Sequence, residues 1–366
     1  MMKLQNHIVT FANNDTKLFE AFNDYWNHYC ALNKINDKGR EYDTSMSFDE
    51  KETRLNEALQ KFIFARAGIP YGAVENVAGW FNHPLARYET FNVVSALIDS
   101  VLPQTIIDNI GMFTEIRVGG FGDSFTFDIT PRDLFTVSLS GRKQRTSQIY
   151  KQYNGQVPLI PENHEITVGV SLYKVLSGKD SLARLIIKAL RSIETKMTLD
   201  AYNTFATALD AVDSTADTGL QVTGYSQDEL VGLIQRIGAW NNSKPVILGT
   251  QRALVNVLPD DANYRYDVES DYVKIGYIRQ AFGSDVMVMP QVANYATEFG
   301  VSISDSRLWI VSPARDKLVK LCLEGQMLSY VDQSFDNANL EQNATMQKAW
   351  KAGIATSSLA GQIVLS

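Results

Sequence analysis

The chain has 366 residues, of which 45% are hydrophobic and 20% charged, and its formal net charge is -7. The length exceeds the roughly 250 to 300 residues at which one hydrophobic core stops growing, so we expect two or more packed regions. The apolar fraction excludes a wholly disordered chain, and the negative charge gives no overall attraction to nucleic acid or to an anionic membrane. We find neither an apolar run of about 18 residues nor a signal peptide, which predicts a soluble protein made in a cytoplasm.

The first 84 residues are predicted to be helical. Apolar side chains from Leu18 to Tyr29 recur at three- and four-residue spacing, which indicates one face of a helix. Ser47 and Glu50 form a capping box that opens a second helix. Residues 11–60 hold ten Asp or Glu against six Lys or Arg, which predicts a solvated face or one that meets basic partners.

Two further patterns follow along the chain. Short apolar clusters alternate with breakers from Asn92 to Gly111, which predicts an extended arm with a short helix. Phe125, Phe127 and Ile129 then alternate with polar residues, which indicates a strand after a plain glycine turn at 119–123.

Residues 130–163 form a long polar and basic excursion, rich in Gly, Pro and Gln, and a second alternating strand from Ile166 to Leu172 follows it. A loop of this length is usually functional, disordered or a paired ribbon. Apolar residues between Leu134 and Leu139 favour a two-stranded ribbon that projects from the body. Its cations are Arg132, Arg142, Lys143, Arg145 and Lys151.

The second half of the chain predicts a long helix and an α/β block. Asp180 is expected to cap a helix that runs to about Ala211 and spans about 45 Å, and a surface loop at 213–226 follows it. The predicted helices then cover 227–240, 250–258 and 270–281, and the predicted strands cover 246–248, 286–289, 308–311 and 318–323. The tail strands, 349–355 and 362–365, are expected to return to a sheet.

No catalytic or metal-binding motif is found in the sequence. The four histidines lack metal-ligand spacing, and Cys30 and Cys322 lie far apart in apolar surroundings, which predicts two buried thiols. Carboxylates cluster between Asp260 and Asp271, where a solvated loop is favoured over a cation or acid–base site. We therefore expect no cofactor, no metal and no catalytic residue, and we predict that the chain is not an enzyme.

The order of these parts resembles that of the tailed-phage major capsid proteins, whose fold is named for the Hong Kong ninety-seven phage and is shared with encapsulins. Three local stretches are similar to the family as well: 244–250 enters a helix, 283–290 holds a Gly, a strand and a Pro, and 308–313 precedes a second strand that ends at Glu324.

The resemblance implies an α+β capsid fold with an N-arm, an extended two-stranded E-loop, a P-domain with a long spine helix, and an α/β A-domain. The implied segments are a helical N-terminal region at 1–84, the N-arm and start of the P-domain at 85–129, the E-loop at 130–163, the P-domain with its spine helix at 164–226, the A-domain at 227–325, and a C-terminal return to the P-domain and A-domain sheet at 326–366.

For function, the resemblance implies a major capsid protein that assembles into hexamers and pentamers around double-stranded DNA, in a virion shell built in the host cytoplasm. The implied partners are further copies of itself, a portal, and a scaffolding or decoration protein, with DNA held only loosely and no membrane. The five cations of residues 130–163 are then the predicted contacts between subunits, because a flat basic ribbon can lie across an acidic neighbour.

Two other classes stay open at this point. An encapsulin-like compartment uses the same subunit fold and encloses a cargo enzyme instead of a genome. A soluble α/β enzyme without a recognised motif would instead be a small oligomer with a concave pocket and titrating groups of shifted pKa.

Overall fold

The computed structural model describes residues 16–35, 40–70, 83–111, 113–129, 154–171, 180–215, 219–257, 274, 276–294, 300–312, 316–331 and 341–365. Within them, helices and strands are mixed, as the predicted α+β class requires.

Three helices form the first layer of the fold. They are α1 (Thr16–Leu32), α2 (Phe48–Arg66) and α3 (Pro84–Ile110). The predicted apolar stripe of α1 is confirmed, because Leu18, Phe22 and Trp26 are buried in the main core. The capping box of α2 is also confirmed, since the Ser47 hydroxyl accepts from the Glu50 N–H and the Glu50 carboxylate accepts from the Ser47 N–H.

Helix α3 corrects the prediction of an extended arm at 92–111. The chain is helical from Pro84 to Ile110, with Pro103 inside the helix. Apolar side chains such as Val94, Leu97 and Ile98 are fully buried, and this burial outweighs the backbone hydrogen bond that a proline removes.

Helix α3 also bears on membrane association. By length and composition alone, its segment Pro84–Asp108 is the one described helix that could cross a membrane, which the sequence prediction missed. In this structure 67% of that window is buried inside the protein, and the buried core helix of a soluble protein meets the same test.

The longest strands form a four-stranded sheet against these helices. They are β1 (Thr114–Gly119), β4 (Glu162–Ser171), β12 (Val319–Val331) and β13 (Glu341–Ile354), in the order β1-β12-β13-β4. The β1–β12 pair is parallel, and the other two pairs are antiparallel. The inner face of this sheet packs against α3 and against a later helix, α4 (Leu182–Thr215), in the main core, through residues such as Leu321, Leu323 and Met346. The strand predicted at 318–323 is therefore part of a longer one.

Helix α4 (Leu182–Thr215) is the predicted long helix, and its 34 residues span about 50 Å. The capping prediction needs a correction, because the Ser181 hydroxyl accepts from the Arg184 N–H at 3.4 Å, and the Asn56 side chain on α2 accepts from the Ala183 N–H at 3.1 Å. The start of α4 is therefore held partly from another helix, which Asp180 alone could not reveal.

The second sheet has six strands, in the order β5-β14-β11-β6-β8-β7. They are β5 (Gln221–Thr223), β6 (Val246–Gly249), β7 (Gln280–Ala281), β8 (Ser284–Val288), β11 (Arg307–Val311) and β14 (Gly361–Val364), and a separate pair joins β9 (Ala293–Asn294) to β10 (Gly300–Val301). Helix α5 (Gln227–Asn241) and the short α6 (Gln251–Leu254) bury a second core on one face of this sheet. The strands predicted at 246–248, 286–289, 308–311 and 362–365 are confirmed with small shifts of their ends. The strand predicted at 349–355 is the end of the longer β13, and the one predicted at 318–323 lies in the four-stranded sheet and not in the α/β block.

Three predictions in this half were inaccurate, and a fourth cannot be followed. The loop predicted at 213–226 is shorter, because α4 continues to Thr215 and β5 begins at Gln221, and the helix predicted at 250–258 is only the four-residue α6. The helix predicted at 270–281 is wrong at its end, because residues 276–279 are not helical and Gln280–Ala281 form β7. Residues 270–273 and 275 of that helix, and the acidic stretch 260–271, lie outside the described residues.

Helix α4 joins the two sheets. Tyr202 and Phe205 lie against Trp309 of the second sheet, with each pair of ring centroids 5.7 Å apart. Two residues before Tyr202, Asp200 accepts a hydrogen bond from the Trp350 indole of the four-stranded sheet at 3.1 Å. The body is therefore built around one long helix.

Candidate assembly surface

The predicted excursion leaves the body through a two-stranded ladder. Strand β2 (Phe125–Ile129) pairs antiparallel with β3 (Gly155–Leu159), with Ile129 opposite Gly155. The chain therefore departs and returns side by side. The partner strand lies inside the segment predicted as the excursion, whereas the predicted return strand β4 pairs with β13.

The ladder lies on the outer face of the four-stranded sheet. Phe125 and Phe127 are buried with Cys322 and Ala355 in a small core of their own. The Leu159 side chain lies over Gly353, where an added Cβ would come within 2.5 Å of Leu159 Cδ2. Because apolar contacts hold both strands, the root of the excursion has a set direction relative to the body.

Arg117 on β1 adds polar contacts to the same root. Its guanidinium lies 4.4 Å from the centroid of the Phe127 ring and donates to the Thr126 carbonyl oxygen. It also pairs with Glu115 at 3.0 Å. A guanidinium can stack on a ring and donate hydrogen bonds in its own plane at the same time. This one side chain therefore holds β2 both through the Phe127 ring and through the backbone at Thr126.

A buried lysine continues this network into the sheet. Lys320 has a side chain that is 1% exposed, and its ammonium lies 2.7 Å from Glu115 and 2.7 Å from Asp316. Burial on its own raises the pKa of the Glu115 carboxyl, but hydrogen bonds and positive charge from Lys320 and Arg117 outweigh it and hold that pKa below its usual range.

The turn before β2 is fastened to β12. The Asp123 carboxylate accepts from the Gly120 N–H at 2.5 Å, and Glu324 on β12 accepts from the Gly122 N–H at 2.6 Å. Phe121 covers Gly325, which has a φ of +60° and lies at the bulge of β12. The predicted glycine turn is confirmed, and its role is to anchor the ladder.

The five predicted contact residues lie outside the described residues. They are Arg132, Arg142, Lys143, Arg145 and Lys151. The structure describes the β2–β3 ladder, at which the segment that contains these residues begins and ends. The alternation of the sequence predicted Phe125 and Phe127. It gave no signal for Arg117, Lys320 and Glu324, because each of them bonds to a residue on another strand or turn.

No metal site is found among the described residues, where no group of three His, Cys, Asp or Glu could hold an ion. The prediction of two buried thiols is confirmed, because Cys30 and Cys322 are free and buried. Burial raises the pKa of the Cys30 thiol to about 11 and also raises that of Cys322. Neither thiol has the lowered pKa of a nucleophile.

No protein-family model matches the chain, and the curated proteins contain no match. Among solved structures, the capsid of a native GTA particle is 11% identical, with a TM-score of 0.47, and covers 70% of this chain and 90% of its own. The structure of Mycobacterium phage Bobi is 15% identical, with a TM-score of 0.44, over 69% of this chain and 88% of its own.

A third match is a virus-like particle from Pyrococcus furiosus, which is 9% identical, with a TM-score of 0.39, and covers 73% of this chain and 96% of its own.

Proposed function

We propose that the chain is the major capsid protein of a tailed phage, a subunit that closes into an icosahedral shell of hexamers and pentamers around double-stranded DNA. The observation that carries the proposal is the anchored β2–β3 ladder. Residues 130–153, with five cations, leave and return through this ladder, which is packed on the sheet by Phe125, Phe127 and Leu159. A segment that begins and ends at such a fixed root is suited to reach a neighbouring subunit.

The charges support a contact between copies. The chain as a whole carries -7, whereas residues 130–153 are basic, so the excursion of one copy meets a net acidic neighbour. Each exposed ion pair is worth only about 0 to 1 kcal/mol, but a closed lattice repeats the contact in every subunit. We propose Arg132, Arg142, Lys143, Arg145 and Lys151 as the residues that make it.

The rest of the body supports the same role as a rigid frame. The N-terminal helices are part of the main core, and Arg184 on α4 pairs with Glu52 on α2 at 2.9 Å. In the proposed shell the subunit acts without catalysis, lies in the virion capsid and assembles in the host cytoplasm. The net negative charge favours loose contact with the packaged DNA, and the portal and a scaffolding or decoration protein are the further partners that we propose.

Particle size tests the proposal directly. The purified protein is examined by light scattering and negative-stain electron microscopy, and we expect closed shells or large capsomer assemblies. A stable monomer or dimer across salt and protein concentrations would overturn the proposal in favour of a soluble α/β enzyme. Extraction of the shell contents separates a phage shell, which holds DNA, from an encapsulin-like compartment, which holds a protein cargo.

A further inference from the structure

One edge of the four-stranded sheet has no described partner. Strand β4 pairs with β13 over ten consecutive residue pairs, without a bulge, and no described strand pairs with its other edge. The backbone N–H and C=O groups along that edge therefore point away from the sheet. Its middle residues, 166–169, are Ile, Thr, Val and Gly, with neither charge nor proline. A long edge without a bulge, whose middle residues carry no charge, is a template for an added strand.

The opposite edge of the same sheet is protected. Strand β1 has only six residues, and two of them, Glu115 and Arg117, carry charges held in ion pairs. Short length and charged side chains are the devices by which proteins block strand addition. On β4 the only carboxylates are Glu162 and Glu165, near its start. The middle of the β4 edge therefore lacks the features that block strand addition at the β1 edge.

The side chains of β4 define what a fifth strand must present. On the inner side, Ile166 and Val168 are half-buried and pack against the main core. On the outer side, Glu165, Thr167 and Gly169 are exposed. An added strand would extend the core with apolar side chains at positions i and i+2 on its inner side, and it would carry no negative charge of its own.

The chain contains a segment of this chemistry before helix α1. Residues 7–11 read His-Ile-Val-Thr-Phe and lie outside the described residues. Val9 and Phe11 stand at i and i+2, and Lys3 is the one formal side-chain charge before Asp15, which complements the carboxylates of β4. Between Phe11 and Thr16, the first residue of α1, the extended chain spans at most about 18 Å, so the receiving copy must hold its β4 edge within that distance of α1.

We infer that in the assembled shell residues 7–11 of one copy add as a fifth strand to the open edge of β4 of a neighbouring copy. The inference rests on the proposed function, because it needs copies held side by side. Main-chain hydrogen bonds then supply the affinity, and the pairing of Val9 and Phe11 with Ile166 and Val168 sets the register. This joint is independent of the basic excursion.

Disulfide trapping with mixed subunits tests the inference. Chains carrying Thr10→Cys and chains carrying Thr167→Cys are co-assembled and oxidised, and we expect a disulfide-linked dimer from the mixture and from neither chain alone. The natural thiols Cys30 and Cys322 are buried and do not interfere. The matched control replaces Thr167→Cys with Thr223→Cys, an exposed threonine on β5, the edge strand of the second sheet, and should give no dimer.

Each other result overturns the inference. A dimer from the Thr167→Cys chain alone would show that two β4 edges pair with each other. An intrachain disulfide in a monomer that carries both substitutions would show that residues 7–11 return to their own β4. Electron microscopy of the same samples separates the two proposals: shells without the mixed dimer refute the strand addition and leave the proposed function standing, whereas a lack of shells from the unsubstituted chain refutes the proposed function.

Discussion

Lys348 on β13 and Asp99 on α3 form a buried ion pair at 2.8 Å, with side chains that are 6% and 8% exposed. The Lys348 ammonium also donates to the Gly325 carbonyl oxygen at 2.7 Å, and Asp99 accepts from the Met327 N–H. Both residues therefore hold the bulge of β12, the same bulge that receives the turn before the β2–β3 ladder. A core helix is thereby connected to the root of the proposed contact segment.

Removal of one charge of this pair should be costly. We expect Lys348→Met to lower the free energy of unfolding by about 3 to 5 kcal/mol, because Asp99 stays buried without its partner. Urea denaturation of the unassembled subunit measures this. The control is Lys196→Met, which removes an exposed pair with Asp200 and should cost at most about 1 kcal/mol. Equal effects of the two substitutions would contradict a special role for the buried pair.

The cost of adding a side chain at position 325 has two parts, the steric overlap with Phe121 and the backbone strain of a positive φ, and the two can be measured separately. Gly325→Ala places a Cβ 2.3 Å from Phe121 Cε1, whereas Gly122→Ala, also at positive φ, meets open space. We expect Gly325→Ala to cost at least about 1 kcal/mol more than Gly122→Ala in thermal or urea unfolding, because only the first adds a steric overlap. The excess should vanish in a Phe121→Ala background, and its persistence there would refute the contact.

Asn56 is expected to act as a cap for a helix to which it does not belong. Its amide donates to the Ser181 hydroxyl at 2.8 Å and its oxygen accepts from the Ala183 N–H. Asn56→Ala should therefore cost about 1 to 2 kcal/mol and speed hydrogen exchange at the first turn of α4. Asn56→Asp keeps the acceptor and should behave like the unsubstituted chain. Unchanged exchange in Asn56→Ala would exclude the capping role.

The basic excursion should be needed for assembly and not for folding. We expect the triple variant Arg142→Glu, Lys143→Glu and Arg145→Glu to stay soluble and folded by circular dichroism but to form few or no shells, because it reverses the charge that meets an acidic neighbour. The control variant reverses three exposed lysines on helices, Lys17, Lys61 and Lys188, and has the same net charge. Normal shells from the first variant would remove the role that we propose.

Acid should weaken the root of the ladder through Glu115. The folded pKa of Glu115 lies below the ordinary value of 4.5, so its ionised form stabilises the fold above that value and the contribution is lost as pH falls through the lower folded pKa. The stability difference between the unsubstituted chain and Glu115→Gln should therefore shrink on acidification below about pH 4.5. Urea denaturation between pH 7 and pH 3 measures it, and a difference that grows towards low pH would contradict the assignment.

Local patterns in the sequence determined much of the secondary structure. The stripe of α1, the capping box of α2, the length of α4 and the alternation of Phe125 and Phe127 could all be predicted. In each case the signal is the burial of one face of a helix or strand, or a cap within three residues, and both are encoded by residues that are close together in the chain.

Tertiary structure decided the rest, because a local pattern does not identify the partner of a segment. The breakers around Pro103 predicted an arm, but burial on the sheet made the segment helical. Strand β3 was missed because its register with β2 is set across the excursion, and the Lys348–Asp99 pair joins residues 249 positions apart. Side chains that bond to distant backbone, such as Asn56, carry no periodic signal, so only the packed chain reveals which elements they hold together.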